Sequence, residues 1–396
     1  MIPFEEAYQK VLQHPLSLGS ESVTLLESVG RILSEDIKAD RDFPPFNRST
    51  KDGIALNFST IEKGNTRFKV EGILSAGMAQ QTLSSPDNCF EIMTGAVLPL
   101  NADTIIMYEE TEIKNGWASI GRTPKKGQNI HRQGSDKRTG EILLKKDTRV
   151  TAAVIGVLAS VGKTEVMVKK LPRVCVVSTG NELVEVSENP LPHQIRKSNS
   201  LSLVAALEKQ NIQATSLHLP DDKALIKTAL KKALSEHDIL MLSGGVSKGK
   251  FDFIPDALNA LGIEKVFHRV AQRPGKPFWF GIQRDQRKVV FSFPGNPVST
   301  FANYHIYFLP WLSKSLGQEQ KERTVILDEI VRPHPKLTLF LQVKTKWLEG
   351  RLHAKLVQGN GSGDLVSLAQ ADGFVCVPSG NNDVPKGSIL TFISVI

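Results

Sequence analysis

Cysteine is scarce in this chain. Its 396 residues hold three, Cys89, Cys175 and Cys376, far apart and in no CxxC pair. An odd, scattered count argues against a disulfide framework, and each thiol lies beside apolar residues, as core cysteines do. Aromatic residues make up 7% and form no stacking ladder, and Lys/Arg never run five in a row. Nucleic acid is therefore a poor fit as a partner. No apolar stretch reaches eighteen residues, so no membrane span is expected. The start, Met-Ile-Pro-Phe-Glu-Glu, lacks a basic segment and an apolar core, so no signal peptide is expected and the location reads as cytoplasmic. GxxxxGK[ST], GxGxxG after a strand and HExxH are all missing, and nine histidines show no metal-ligand spacing. No Ser/His/Asp arrangement is evident either.

What remains is the composition of a folded globular protein of several domains. Hydrophobic residues are 40% and charged residues 23%, ordinary values for a globular protein. The length suits two to four domains. The net charge of +8 fits an anionic ligand without requiring one. Residues 3–14 and 22–34 read as helices, and 66–150 alternate short β-like runs (67–74, 90–93, 103–108, 117–120) with Gly, Asn and Pro. Residues 151–162 return to an apolar helical pattern. From Arg173 strands alternate with helices, so 171–315 predict an α/β domain with a mostly parallel sheet. Segments 323–331, 338–348, 352–357, 373–377 and 389–395 predict a final β domain, a small barrel or sandwich.

The chain is organised around residues 289–300, Val-Val-Phe-Ser-Phe-Pro-Gly-Asn-Pro-Val-Ser-Thr. An apolar strand runs into a proline-framed turn and then a helix, the place where an open α/β sheet holds its ligand. Two further loops should meet it at the strand ends: Ser178-Thr179-Gly180 and Ser243-Gly244-Gly245. Small residues let backbone N–H groups approach an anion, and hydroxyls add donors. Glu182, Asp221 and Asp252 come from loops of the same kind. Carboxylates beside a phosphate site suggest Mg²⁺, which takes few protein oxygens and bridges to phosphate. A plainer reading makes Glu182 support a helix start and Asp252 cap one. Residues 269–277, Arg-Val-Ala-Gln-Arg-Pro-Gly-Lys-Pro, place Arg269, Arg273 and Lys276 around a stiff turn suited to an oxyanion. Residues 41–55, with two prolines beside Arg48, Ser49, Lys51 and Asp52, read either as a solvated linker or as a functional loop.

Taken together, seven segments in order resemble one family, the MoeA-type molybdopterin molybdenumtransferases, to which the C-terminal domain of gephyrin is related. They are DFPPFNRSTKDGIA (42–55), IMTGAVLPLNADTII (92–106), STGNEL (178–183), IRKSNS (195–200), LSGGVSKGKFDF (242–253), QRPGKPFWFG (272–281) and SFPGNPVSTF (292–301). The resemblance implies a multi-domain α/β plus β architecture. Residues 1–40 with 142–170 would form a small connecting domain and 41–141 a β-rich lobe. Residues 171–320 would form the MogA-like α/β molybdopterin-binding domain and 321–396 a C-terminal barrel-like domain. It also implies a homodimer that inserts molybdenum from molybdate into adenylated molybdopterin, releasing AMP with Mg²⁺ present. Its partners would include a molybdopterin adenylyltransferase and maturation factors of molybdenum enzymes. The adenylyltransferase reaction itself and a scaffolding role are the competing readings.

By the same resemblance, Asp52, Thr94 and Asp136 match acidic and hydroxyl site positions of the lobe, with Asp52 and Asp136 reaching over from the other subunit. Glu182, Asp221 and Asp252 match the acids that position Mg²⁺ and the pyrophosphate. Ser178, Gly244, Gly245, Pro294 and Pro297 belong to the substrate loops. Arg269, Arg273, Lys276, Ser299 and Ser362 match the oxyanion side. Four departures stand out. Ile54 replaces an aromatic, Ser135 a glutamate and Lys197 an Asp or Asn. An R-x-x-F-x-R segment appears as Leu337-Thr338-Leu339-Phe340-Leu341-Gln342, with both arginines missing.

Overall fold

The computed structural model describes residues 1–245, 253–319 and 321–396. The chain divides into two compact units, Ser22–Val29 with Leu33–Met167, and Met1–Glu21 with Gly30–Ile32 and Val168–Ile396.

The first of these is the β-rich lobe. Its strands are β1 (Gly53–Leu56), β2 (Arg67–Leu74), β3 (Asn88–Ile92), β4 (Thr104–Met107), β5 (Thr111–Lys114) and β6 (Trp117–Ile120), in the order β4-β1-β3-β2-β6-β5. Successive side chains of a strand point to opposite faces. Ala55, Phe90 and Ile105 accordingly fill one core while Ile54, Leu56, Cys89 and Ile106 fill another. Gly53 begins β1 because nothing larger fits: an added Cβ would lie 1.9 Å from the Ile106 carbonyl oxygen. A helix over Ala152–Ser160 is capped by Thr151, whose hydroxyl accepts from the Val154 N–H.

The helix expected over 22–34 does not form. Ser20–Thr24 is a strand, followed by turns closed at Gly30, whose φ is +81°. Leu33 is buried but Leu26 and Val29 are exposed, so the apolar positions that suggested a helix do not share one buried face. Apolar spacing alone cannot tell a helix from a turn-rich segment.

In the other unit, strands β7 (Val174–Thr179), β8 (Thr215–Leu219), β9 (Ile239–Ser243), β10 (Glu264–His268), β11 (Trp279–Gln283) and β12 (Lys288–Phe293) form one sheet, ordered β8-β7-β9-β12-β11-β10. The first four strands are mutually parallel, and β11 runs antiparallel to both of its neighbours, β12 and β10. Neither β10 nor β11 is among the expected strands, because their residues read as the flanks of a cationic turn. β7, β9 and β12 are buried along their whole length, as strands covered on both faces must be. Helices α1 (Asn199–Glu208) and α4 (Pro297–Asn303) lie on one face over Val176, Met241 and Phe291. Helices α2 (Lys223–Glu236) and α3 (Ile254–Ala260) lie on the other, over Val177, Leu240 and Val290. The stripe Ile226, Leu230, Ala233 and Leu234 is the buried face of α2, as its spacing predicts. The N-terminal helix Phe4–Leu12 adds Ala7 and Val11 to the first core.

The C-terminal strands are β13 (Arg323–Leu327), β14 (Thr338–Leu348), β15 (Arg351–Leu356), β16 (Gly373–Val377) and β17 (Ile389–Ser394). They run β14-β15-β13-β17-β16, and β16 pairs back onto β14, which closes a five-stranded barrel. Closure removes the open edges that a small sheet would otherwise expose. Phe340 of β14 leaves the barrel core and joins the α/β core, its ring 5.0 Å from that of Phe4. The three cysteines are free, and burial pushes the Cys89 and Cys376 thiols up to about 12 and Cys175 to about 11. Among the described residues no helix is long and apolar enough to cross a membrane.

Candidate functional site

Between β7 and β9 the chain reverses the direction in which it adds strands, and a crevice opens beyond their carboxyl ends. A cavity of about 420 Å³ occupies that position. Its wall contains Ser178, Glu182, Asp221, Gly244, Gly245, Pro294 and Pro297, seven residues singled out from sequence. Each comes from a strand end or the turn after one, so the sheet itself sets their spacing. The glycines permit this crowding. Gly245 has φ +71°, and a Cβ there would lie 2.5 Å from Ile254 Cγ1. Gly244 would meet the Thr179 hydroxyl at 3.0 Å.

The two acids of the wall have few protein partners. Asp221 accepts from the Asn181 N–H at 3.3 Å, and its own N–H donates back to Asn181 Oδ1 at 3.1 Å. Glu182 lies over Gly180, where a Cβ would come within 2.3 Å of its Oε2. Asp252, the third expected acid, falls outside the described residues. Among the described residues no three His, Cys, Asp or Glu side chains converge as a ready-made metal cage. Two carboxylates on one cavity still suit Mg²⁺, which retains water and takes phosphate oxygens for its remaining positions.

Ser299 is buried in the first turn of α4 and forms no part of this wall. Ser362 reaches its rim indirectly: Asn296 Nδ2 donates to Ser362 Oγ at 2.8 Å, and the Val298 N–H to the Ser362 carbonyl at 3.0 Å. The cationic turn is well fastened. Gln272 Nε2 donates to the Pro274 carbonyl and to Asn303 Oδ1, both at 2.9 Å, and Tyr307 donates to Gln272 Oε1. Gln272 and Asn303 are fully buried, and Asn303 Nδ2 closes the ring on the Gly275 carbonyl at 3.2 Å. Arg273 and Lys276 emerge exposed from this frame, and only their neighbour Pro277 touches the cavity. Arg269 has φ +73°, and its Nε is buried without a hydrogen-bond partner. Of the two positions where arginine is missing, Leu337 is half-buried, and Gln342 keeps a buried, unpartnered Nε2.

The lobe gathers the remaining expected residues. Thr94 donates to Asp52 Oδ1 twice, from its N–H at 2.6 Å and its hydroxyl at 2.7 Å. These bonds hold the Asp52 carboxyl below the usual range. Asp136 lies 2.8 Å from His131 Nε2, and the other ring nitrogen of His131 is 3.4 Å from Arg48. That histidine, then burial opposing it, and the nearby Arg48 leave the Asp136 carboxyl lowered as well. Residues 48–49 pair with 130–131 and bond to 95–96, so three of the recognised loops share one patch.

Sequence reasoning passed over Asn199 and His218, and marked Lys197 only as a departure from the family pattern. Asn199 Nδ2 donates to Ser243 Oγ at 2.9 Å and to the Gly295 carbonyl at 2.7 Å, tying two substrate loops together. Lys197 lines the cavity wall. The Arg-Lys-Ser-Asn run at 196–199 was the available signal. His218 had none, because only strand pairing places it beside Ser178.

Residues 2–162 match the family described as the MoeA N-terminal region (domain I and II). Residues 175–314 match a probable molybdopterin binding domain, and 324–395 the MoeA C-terminal region (domain IV). A molybdopterin molybdenumtransferase of Synechocystis sp. is 37% identical over 396 residues, covering 99% of both chains. One from Bacillus subtilis is 33% identical over 98% of this chain and 92% of its own. The solved molybdopterin biosynthesis MoeA protein of Pyrococcus horikosii superposes with a TM-score of 0.82 at 32% identity, covering 100% of this chain and 99% of its own. The chain belongs to the molybdopterin molybdenumtransferase (MoeA) family, whose members serve molybdenum cofactor biosynthesis.

Proposed function

We propose that this protein transfers molybdenum from molybdate into adenylated molybdopterin and releases AMP in a Mg²⁺-dependent step. The observation that carries the reading is the meeting of three Gly/Ser/Pro loops with Glu182 and Asp221 around one cavity, in a chain aligned end to end with enzymes of that name. Backbone N–H groups and the Ser178 hydroxyl would hold the pyrophosphate, and Asn199 would keep the loops in register. Glu182 and Asp221, with Asp252, would hold Mg²⁺, which when bound neutralises phosphate charge as AMP departs. Arg269, Arg273, Lys276, Ser299 and Ser362 are assigned to molybdate. Leu337 and Gln342 in place of arginines leave two fewer fixed cations there.

The proposal includes a homodimer in which Asp52 and Asp136 of one chain complete the cavity of the other. Sedimentation should then give twice the 43.6 kDa chain mass. Mixed dimers carrying Asp52→Ala on one chain and Glu182→Gln on the other should recover activity that neither homodimer has. The central test is AMP release from adenylated molybdopterin as molybdate is added, with tungstate alongside. Release that ignores both oxyanions would end the reading, and molybdopterin with ATP should give no adenylation.

A further inference from the structure

One flank of the cavity holds charge of both signs that the family positions do not explain. Lys197 follows the short strand Ile195–Arg196, which pairs with Leu183–Val184. Its side chain is 12% exposed, and its ammonium is bonded to Glu185, which is 58% exposed. An ammonium has three donors, and Glu185 engages one of them. The carboxylate can swing into water at little cost, whereas the buried ammonium cannot leave. Among the described residues the other cation in the wall is Arg196, which is exposed and donates its Nε to the Glu188 carbonyl at 3.1 Å. On the same wall is Ser178, 3% exposed, with its Oγ 3.1 Å from His218 Nδ1, and that imidazole feels the Lys197 charge. Ser178 and His218 are partners in the parallel pairing of β7 and β8, so their contact is fixed by the sheet.

We infer that Lys197 is the phosphate-gripping cation of this cavity, parked on Glu185 until a ligand phosphate displaces that carboxylate, with Ser178, oriented by His218, as the adjoining donor. The inference rests on the cavity taking a phosphate-bearing ligand, as proposed above. Lys197 makes the contact, and His218 is a positioning residue. Burial, together with the nearby Lys197, lowers the pKa of the imidazole, which keeps it neutral and free to orient the hydroxyl.

Binding of AMP, inorganic pyrophosphate and adenosine to the full chain, measured calorimetrically in EDTA, tests this. Lys197→Met should weaken AMP and pyrophosphate about 10- to 100-fold and leave adenosine unchanged. Pyrophosphate unaffected while AMP weakens would place the nucleotide's own phosphate on Lys197. Glu185→Gln should tighten both phosphate ligands, because it removes the competing carboxylate. His218→Phe should weaken AMP, and His218→Gln, which can still bond Ser178, should restore it. Lys197→Met and Glu185→Gln weakening phosphate alike would show a merely structural ion pair and overturn the inference. So would AMP binding unchanged in Lys197→Met. Wild-type protein that binds neither AMP nor pyrophosphate would instead remove the phosphate cavity itself.

Discussion

The acids of the lobe and the acids of the cavity are treated in opposite ways. In the lobe Asp52 is clamped by two Thr94 donors, Asp136 faces His131, and Asp42 accepts from the Thr139 N–H at 2.9 Å and its hydroxyl at 3.0 Å. Those carboxylates are already engaged: Asp52 and Asp42 fasten one loop to another, and Asp136 braces its own loop on His131. In the cavity Asp221 has one weak backbone donor at 3.3 Å, and Glu182 rests over a bare glycine. A carboxylate left without protein donors is available to a cation from outside. The difference separates acids already committed within the protein from acids left free to take a ligand.

The largest effects should fall on the cavity. Glu182→Gln and Asp221→Asn should lower molybdate-dependent AMP release about 100-fold or more, since metal neutralisation of phosphate charge contributes several kcal/mol. Mg²⁺ affinity, read by calorimetry, should fall in parallel, while circular dichroism and the melting temperature stay near wild type. Asp52→Asn makes the contrast: Mg²⁺ affinity should hold. If Asp52→Asn instead abolished Mg²⁺ binding and Glu182→Gln did not, the division between the two sets of acids would be reversed.

Next come the supports of the cationic turn, where stability rather than binding should respond. Gly275 has φ +89°, and a Cβ there would lie 2.3 Å from Asn303 Oδ1. Gly275→Ala should cost roughly 1–3 kcal/mol in urea unfolding, from backbone strain and displacement of a buried amide. Asn303→Leu should cost about 1–3 kcal/mol because it strands the Gln272 amide and the Gly275 carbonyl.

Much of this was legible in advance, for physical reasons that differ by region. The α/β sheet announces itself because buried parallel strands are continuous apolar runs, as in Val174–Val177 and Ile239–Leu242. The five barrel strands show through their turn residues. The cavity residues were readable because phosphate chemistry demands Gly, Ser and Pro at strand ends. What could not be read depends on pairing across the chain. The strand Trp279–Gln283 sits behind a proline-rich turn that masks its start. His218 matters only through its register with Ser178. The support beneath Arg273 and Lys276 consists of Gln272, Asn303 and Tyr307, and the last two lie about thirty positions away, just past the end of the segment 292–301.

The smallest effect should be the acid response of the lobe. Asp52, Asp136 and Asp42 all have carboxyl groups lowered by their folded-state donors, with Thr94, His131 and Thr139 the leading causes. A folded value below the unfolded one means the clamps contribute fully above the ordinary carboxylate range. They are lost as pH falls through the folded values, below about pH 4. All three are solvent-exposed, so the loss should loosen loops before it unfolds the lobe. Hydrogen exchange of residues 93–97 and 131–139 should therefore speed up as pH falls below about 4, after correction for the intrinsic rate. Asp52→Asn should remove that step for 93–97 alone and leave 131–139 unchanged. Equal protection of both loops in the variant would mean that Thr94 is held by the sheet and not by Asp52, and the lobe acids would then be no more committed than those of the cavity.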